Sequence, residues 1–433
     1  MLALATVAAV GCDNSTPPDQ PDPSDPQECS DPDKAGCVIR SDKQRIMSPD
    51  VPTGDQVSLV KGSSGFALDL YQQVRGKEGN LFYSPFSISM ALAMTWAGAK
   101  NETESAMAGT LRFELPQEKL HPAFNWLDLE LSSRGQGAKA SDGKGFRLNV
   151  VNALWGQVGH NFEQPFLDTL GVNYGAGMRI VDFQTDPQGS ADLINGWVKT
   201  ETEGKIDKLV PVEAITDATV LILTNAIYFN AAWKEPFEVE DTTDGAFTKE
   251  DGSQVTVPMM SGYKEAGYAE GDDFQALLLP YDGDELSMVF VLPAQGGLAD
   301  FEASLDADKL DAIAGGATEH AVDVKMPKFE FDYELGLKQT LKDMGMEIAF
   351  TPGAADFTGI NSKGAPFIED VLHKAFIGVN EAGTEAAAAT AVIVGEESAP
   401  EPAAISLDRP FLFFIRDNAT GSLLFVGRVA DPS

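Results

Sequence analysis

The chain has 433 residues, 43% of them hydrophobic, the proportion of a globular protein with a sizeable core, which excludes general disorder. Its 66 Asp and Glu against 31 Lys and Arg leave a formal net charge of -35. Such a surface repels nucleic-acid phosphates and anionic lipid, which are held by Lys and Arg, and it suits high solubility or attraction to a basic partner.

Residues 1–10 form an apolar run that ends in small residues and meets Gly11-Cys12. The run is too short to span a bilayer as a helix. Its order resembles the end of a bacterial lipoprotein signal occupying residues 1–12, which makes Cys12 the candidate for lipidation. On that reading the chain is extracytoplasmic, either secreted or lipid-anchored at the cell envelope. Residues 13–56 are rich in Pro, Asp and Ser and are expected to form a disordered tether. Cys29 and Cys37 lie within it, and outside the cytoplasm they can close a small disulfide loop. No His or third Cys is near them, which argues against zinc.

From residue 57 to 433 helix and strand signals alternate without a low-complexity break, as in a single domain. Helical spacing appears at 87–97 (SISMALAMTWA) and at 192–202 (DLINGWVKTET). Residues 220–228 (VLILTNAIY) read as a strand apolar enough to be covered on both faces. Strands at 274–279 and 286–292 form a hairpin across Tyr281-Asp282-Gly283-Asp284. Residues 334–344 (ELGLKQTLKDM) predict a further helix stopped by Gly345. Strand signals follow at 373–379 and 392–394, and a last hairpin pairs 411–415 with 423–429. Mixed helices and largely antiparallel strands predict an α+β fold.

Between those late strands lies 381–391, EAGTEAAAATA. Alanine favours helix by propensity, yet both flanks read as strand. As a strand, Thr384, Ala386, Ala388, Thr390 and Val392 share one face, and Glu385, Ala387, Ala389, Ala391 and Ile393 the other. The first row carries no charge and little bulk, so it can slide between two strands of an existing sheet and gain ladder hydrogen bonds. A flexible alanine-rich linker is the other reading. No nucleophile elbow, zincin helix, Walker loop or dinucleotide fingerprint occurs. His121, His160, His320 and His373 have no partner at metal-ligand spacing, so neither an enzyme, a metal nor a cofactor is expected.

Several motifs then fall in one order. They are Asn80 to Ile88 (NLFYSPFSI), Thr224 to Phe229 (TNAIYF) with Trp233 and Pro236-Phe237, and His373-Lys374-Ala375. Next come Glu381 to Ala387 (EAGTEAA), Asp408 to Phe411 (DRPF) and Phe425 to Val429 (FVGRV). Together they make residues 57–432 resemble a serpin, the family that includes antitrypsin. The resemblance implies the serpin fold: large mixed and antiparallel sheets surrounded by helices, with an exposed reactive loop at about 381–408.

By the same resemblance the chain is an irreversible, suicide-type inhibitor of serine endopeptidases. The protease cuts the loop and forms an acyl-enzyme, and the freed loop inserts into the main sheet before water deacylates it. The hinge of that movement would be Glu381, Ala382, Gly383, Thr384, Glu385, Ala386, Ala387, Ala388 and Ala389. Counting the family's loop length from Glu381 puts the reactive bond at Glu397-Ser398, with Glu396 or Ala399 as alternatives, and glutamate there suits a glutamate-specific protease. Val392-Ile393-Val394 would instead suit elastase-like or subtilisin-like enzymes. Ser84, Ser87, Asn225 and His373 would meet beneath the middle of the sheet where it opens. Glu381 would pair with Lys328 at the top of the opening, close to Trp233. A monomer is expected, with no nucleic-acid partner and membrane contact only through a lipid anchor. A non-inhibitory serpin-fold binding or chaperone-like protein is the alternative.

Overall fold

In the computed structural model, residues 28–29, 34–138, 146–384 and 403–433 are described. The strands in chain order begin with β1 (Cys37–Ile39), β2 (Leu81–Tyr83), β3 (Arg147–Gln157), β4 (Met178–Val181) and β5 (Leu221–Ala232). There follow β6 (Thr243–Thr248), β7 (Gln254–Glu270), β8 (Phe274–Pro280), β9 (Leu286–Pro293), β10 (Thr318–Pro327) and β11 (Phe329–Gly336). Last come β12 (Val371–Asn380), β13 (Gly383–Thr384), β14 (Ala403–Ser406), β15 (Phe411–Asp417) and β16 (Leu423–Val429). The helices are α1 (Thr53–Val74), α2 (Pro85–Trp96), α3 (Asn101–Leu111), α4 (Gln117–Ser132), α5 (Gln164–Tyr174), α6 (Pro187–Glu201), α7 (Leu298–Ser304), α8 (Ala307–Gly316) and α9 (Lys338–Leu341).

The strands form two sheets. One is seven-stranded in the order β1-β4-β3-β5-β13-β12-β11; the other is nine-stranded, β14-β10-β7-β8-β9-β15-β16-β2, with β6 on β7. β5 sits at the centre of the first sheet and is buried along nearly its whole length, as its unbroken apolar run predicts. One face of that sheet meets the large core, to which β16 and α2 also contribute. The opposite face carries a second cluster in which Trp155 on β3 and Ile222 and Ala226 on β5 pack with Ile194 and Val198 of α6. α6 therefore lies across β3 and β5.

α2 begins where the sequence provides a start. Pro85 occupies the first turn, and Ser84 at the N-cap accepts a 3.2 Å hydrogen bond from the Ser87 N–H. Every residue of the helix is buried, so its polar side chains need partners inside the protein.

Two expectations are corrected. The helix predicted over 334–344 is strand at its beginning: Glu334–Gly336 belong to β11, and the helix covers only Lys338–Leu341 before a single wider turn at Lys342–Met346. The reason lies upstream, where Phe329, Phe331, Tyr333 and Leu335 alternate with exposed residues at the strand period; pairing with β12 carries that alternation through Gly336.

The tether expected over 13–56 also differs within its described residues, 28–29 and 34–56. β1 pairs antiparallel with β4 at the edge of the first sheet, Val38 is buried, and Cys29 is disulfide-bonded to Cys37. The segment after β1 is held by polar contacts to two helices. Arg45 donates to Asn125 (2.8 Å) and to Asp128 (2.6 Å) on α4, and Lys43 pairs with Asp168 on α5 at 2.7 Å. Gly177, beside β4, keeps this close approach open: a Cβ there would stand 2.6 Å from the Ile39 carbonyl oxygen. Composition suggested an unstructured run, but a short strand on an open sheet edge and two basic residues facing acidic helices are enough to dock it.

Candidate functional site

The site grows from the line between β5 and β12. These strands run parallel and pair directly from Leu223 to Ile227 and from Val371 to Ala375. Further along, β13 takes their place as partner. Gly383 and Thr384 pair antiparallel with Asn380 and Val379 of β12 and with Ala232 and Ala231 of β5. The first residues of the small-residue segment thus already form a short strand inside the sheet. Gly383 is required there: its φ is +155° and a Cβ would lie 2.2 Å from the Ala231 carbonyl oxygen.

Ser84, Ser87, Asn225 and His373 come together below the directly paired stretch, all fully buried. Sheet register sets the row, since Asn225 is opposite His373 on one side and Asn152 on the other. His373 Nε2 accepts the Ser84 N–H at 3.2 Å, which leaves Nδ1 protonated to donate to Asn225 Oδ1. Asn225 Nδ2 donates at 2.6 Å to Ser87 Oγ and at 2.6 Å to Asn152 Oδ1. Ser87 Oγ donates to Asn152 Oδ1 at 2.8 Å, and Asn152 Nδ2 to the Ser87 carbonyl at 3.1 Å. Burial drives the His373 pKa down to about 3, so the imidazole is neutral, as a ring with one donating and one accepting nitrogen requires.

At the upper end, Lys328 Nζ lies 2.8 Å from Glu381 Oε2. Thr242 Oγ1 donates to Glu381 Oε1 at 2.8 Å. Burial raises the pKa of the Glu381 carboxyl, but hydrogen bonds from Lys328, its own backbone N–H and Thr242 outweigh it and hold the group below the usual glutamate range. Trp233 is adjacent: its indole N–H donates to the Asn380 carbonyl at 3.0 Å and its backbone N–H to the Ala382 carbonyl at 2.9 Å. Its ring stacks on Tyr281 with centroids 4.8 Å apart. The Tyr281 hydroxyl reaches Thr384 Oγ1 at 2.7 Å, and burial pushes the phenol pKa far up, so the group stays neutral.

The arrangement is a sheet with a two-residue strand seated between β5 and β12, a polar network across β3, β5 and β12 where β5 and β12 pair directly, and an ion pair at the turn that leads into the short strand. Glu381, Ala382, Gly383 and Thr384 of the expected hinge lie within it. Glu385, Ala386, Ala387, Ala388, Ala389, the Glu397-Ser398 bond, the 392–394 strand and Cys12 lie outside the described residues. Sequence reading missed Asn152, Thr242 and Tyr281. Asn152 had a signal, being an amide set among apolar residues (VVNALWG). Tyr281 was assigned to a turn, and only the tertiary fold turns its ring inward.

The serpin family model, described as serine protease inhibitor, matches residues 61–432. An uncharacterized serpin-like protein of Thermococcus kodakarensis is 37% identical over 418 residues, covering 96% of this chain and 94% of its own. The human leukocyte elastase inhibitor is 36% identical, covering 86% of this chain and 99% of its own. The crystal structure of tengpin, a thermophilic serpin in its native state, superposes with a TM-score of 0.79 at 28% identity, over 91% of this chain and 97% of that one. With matches of this extent, and a fold of helices around two large sheets, the chain belongs to the serpin family.

Proposed function

We propose that the chain is an irreversible inhibitor of serine endopeptidases that acts by cleavage and insertion of the loop between β13 and β14. The observation that carries this reading is the seat of Gly383 and Thr384 between β5 and β12. They stand at the head of a run, EAAAATA, whose inward row is small and uncharged. Growth of β13 past Thr384 needs β5 and β12 to separate below it, and the small row can enter without burying a charge. Each added residue gains ladder partners on both sides.

The reactive bond is proposed at Glu397-Ser398. The protease serine attacks the Glu397 carbonyl, the amine of Ser398 leaves, and insertion then carries the acyl-enzyme away from the geometry that water needs. We also propose that Cys12 carries lipid and that the inhibitor works outside the cytoplasmic membrane. Clickable fatty-acid labelling tests that part, and a mature chain that takes up no lipid at Cys12 refutes it.

Insertion itself is tested by heating. A chain cut in the loop should melt well above the intact one, because the new strand adds hydrogen bonds and buried surface. Equal melting of cut and intact chains would mean that the loop does not insert.

A further inference from the structure

The segment that leaves β5 crosses the upper end of the first sheet before β6 begins. Along it the Trp233 N–H donates to the Ala382 carbonyl at 2.9 Å, the Phe237 N–H to the Glu381 carbonyl at 2.7 Å, and Thr242 Oγ1 to the Glu381 carboxylate at 2.8 Å. β13 lies between β5 and β12, so these bonds form a clasp from the end of β5 to the turn after β12.

The clasp is held from its other side by Lys264 on β7. This lysine is only 7% exposed; its ammonium donates to the Pro236 carbonyl at 2.6 Å and sits 4.4 Å from the ring centroid of the buried Phe237. Gly262 faces the same ring, since a Cβ there would lie 3.6 Å from it and 3.6 Å from Lys264 Cε. The Pro236 carbonyl and the Phe237 N–H belong to one peptide group, which is trans. In a trans peptide these two groups point in opposite directions, so the ammonium on the oxygen and the Glu381 carbonyl on the hydrogen fix the plane from both ends. The charge also polarises the peptide, which makes its N–H a stronger donor. A buried lysine whose stem only fills space needs some acceptor; here the acceptor is the one carbonyl whose peptide carries the anchor of the hinge.

We propose that Lys264 is a positioning residue for the hinge: by orienting the Pro236-Phe237 peptide it keeps Glu381 fastened to the end of β5, and loss of its charge lets β5 and β12 part. The proposal rests on the reading that the loop inserts between these strands. The charges that face Lys264 come from the crossing segment. Burial holds the Lys264 pKa below the usual lysine value, against Glu235, Glu238 and Asp241, which raise it. β10 presents Val322 opposite it, and beyond the peptide Glu381 and Lys328 are paired with each other at 2.8 Å. Alkaline conditions therefore remove the Lys264 proton earlier than that of an exposed lysine, and the clasp loosens with it.

The test follows conversion of intact chain to the inserted form on native gels from about pH 7 to about pH 10, with hydrogen exchange of the Phe237 amide measured at the lower pH. The unaltered chain should convert about tenfold faster at the alkaline end. Lys264→Met keeps the packing stem without the ammonium, so it should convert about tenfold faster already at neutral pH and change little with pH. Lys264→Arg keeps a charged donor throughout the range and should stay slow. The triple variant Glu235→Gln/Glu238→Gln/Asp241→Asn leaves Lys264 in place and should move the alkaline rise down by about half a pH unit; it reads the lysine even where Lys264→Met fails to fold. Conversion of Lys264→Met within about twofold of the unaltered chain overturns the proposal, as does an alkaline rise that the triple variant leaves where it was. If no form of the chain inserts, the insertion reading fails, and exchange still decides the role of Lys264: a faster Phe237 amide in Lys264→Met supports it and an unchanged one refutes it.

Discussion

Asn225 and His373 are hydrogen-bonded to each other across β5 and β12, within the stretch where these two strands pair directly. In the proposed insertion, lengthening β13 breaks this contact, because β13 would grow between the two strands that carry it. Replacing His373 by Ala leaves the Ser84 N–H and the Asn225 side-chain Oδ1 without their His373 partner in a buried place, at a cost of about 1–3 kcal/mol for each. His373→Ala should therefore shorten the lifetime of the native form by at least about tenfold at mild heat, giving inserted monomer or polymer. Asn152→Ala should act in the same direction. Native gels after incubation decide it, and mobility like that of the unaltered chain contradicts the assigned role.

The pH dependence follows from burial. His373 and His121 both have pKa values lowered to about 3, whereas an unfolded histidine takes its proton near about 6.5. Between those values the unfolded chain binds protons that the folded one refuses. Stability therefore falls as pH drops from about 6.5 toward 3, by up to about 1.4 kcal/mol per pH unit for each histidine. Melting temperatures should decline from about pH 7 to about pH 5, and His121→Phe should make the decline shallower. A melting temperature independent of pH over that range would show that neither ring is held neutral.

Removing the two halves of the Lys328–Glu381 pair should not be equivalent. The Glu381 side chain is 8% exposed and that of Lys328 37%. Lys328→Ala strands a buried carboxylate, while Glu381→Gln releases an ammonium that water can reach. Lys328→Ala should loosen the departure point more, raising spontaneous insertion by several-fold over Glu381→Gln. The ratio of the two rates on native gels is the readout, and a larger effect from Glu381→Gln contradicts the geometry.

Much of this was legible in the chain. Helical spacing over 87–97 announces most of α2, the apolar run of β5 announces a central strand, and the strand reading from Thr384 onward holds for Thr384, which sits with Gly383 between β5 and β12. What escaped has its causes in distant parts of the chain. The pattern ELGLKQTLKDM satisfies helical spacing, but register with β12 holds its first three residues as strand. The Pro- and Asp-rich composition of residues 13–56 hides β1, because a strand of three residues gains its stability from the open edge of β4 and not from its own sequence. Asn152, Thr242 and Tyr281 join the site through tertiary contacts between segments far apart in the chain.

Thr384 is the first inward residue of the proposed insertion, 1% exposed and bonded to the buried Tyr281 hydroxyl at 2.7 Å. Thr384→Glu places a carboxylate where desolvation costs several kcal/mol. The variant should be cut normally yet trap little protease, so that many molecules are consumed for each enzyme inactivated. An unchanged stoichiometry would mean that this row does not turn inward during insertion.

The most direct test of the account is to incubate the purified chain with a panel of serine proteases, including a glutamate-specific one. Denaturing gels and mass spectrometry of the released peptide follow. The account predicts a protease–inhibitor band that survives denaturation and a peptide beginning at Ser398. Clean cleavage in the loop with the protease left fully active would contradict it, and would favour a serpin-fold binding protein instead.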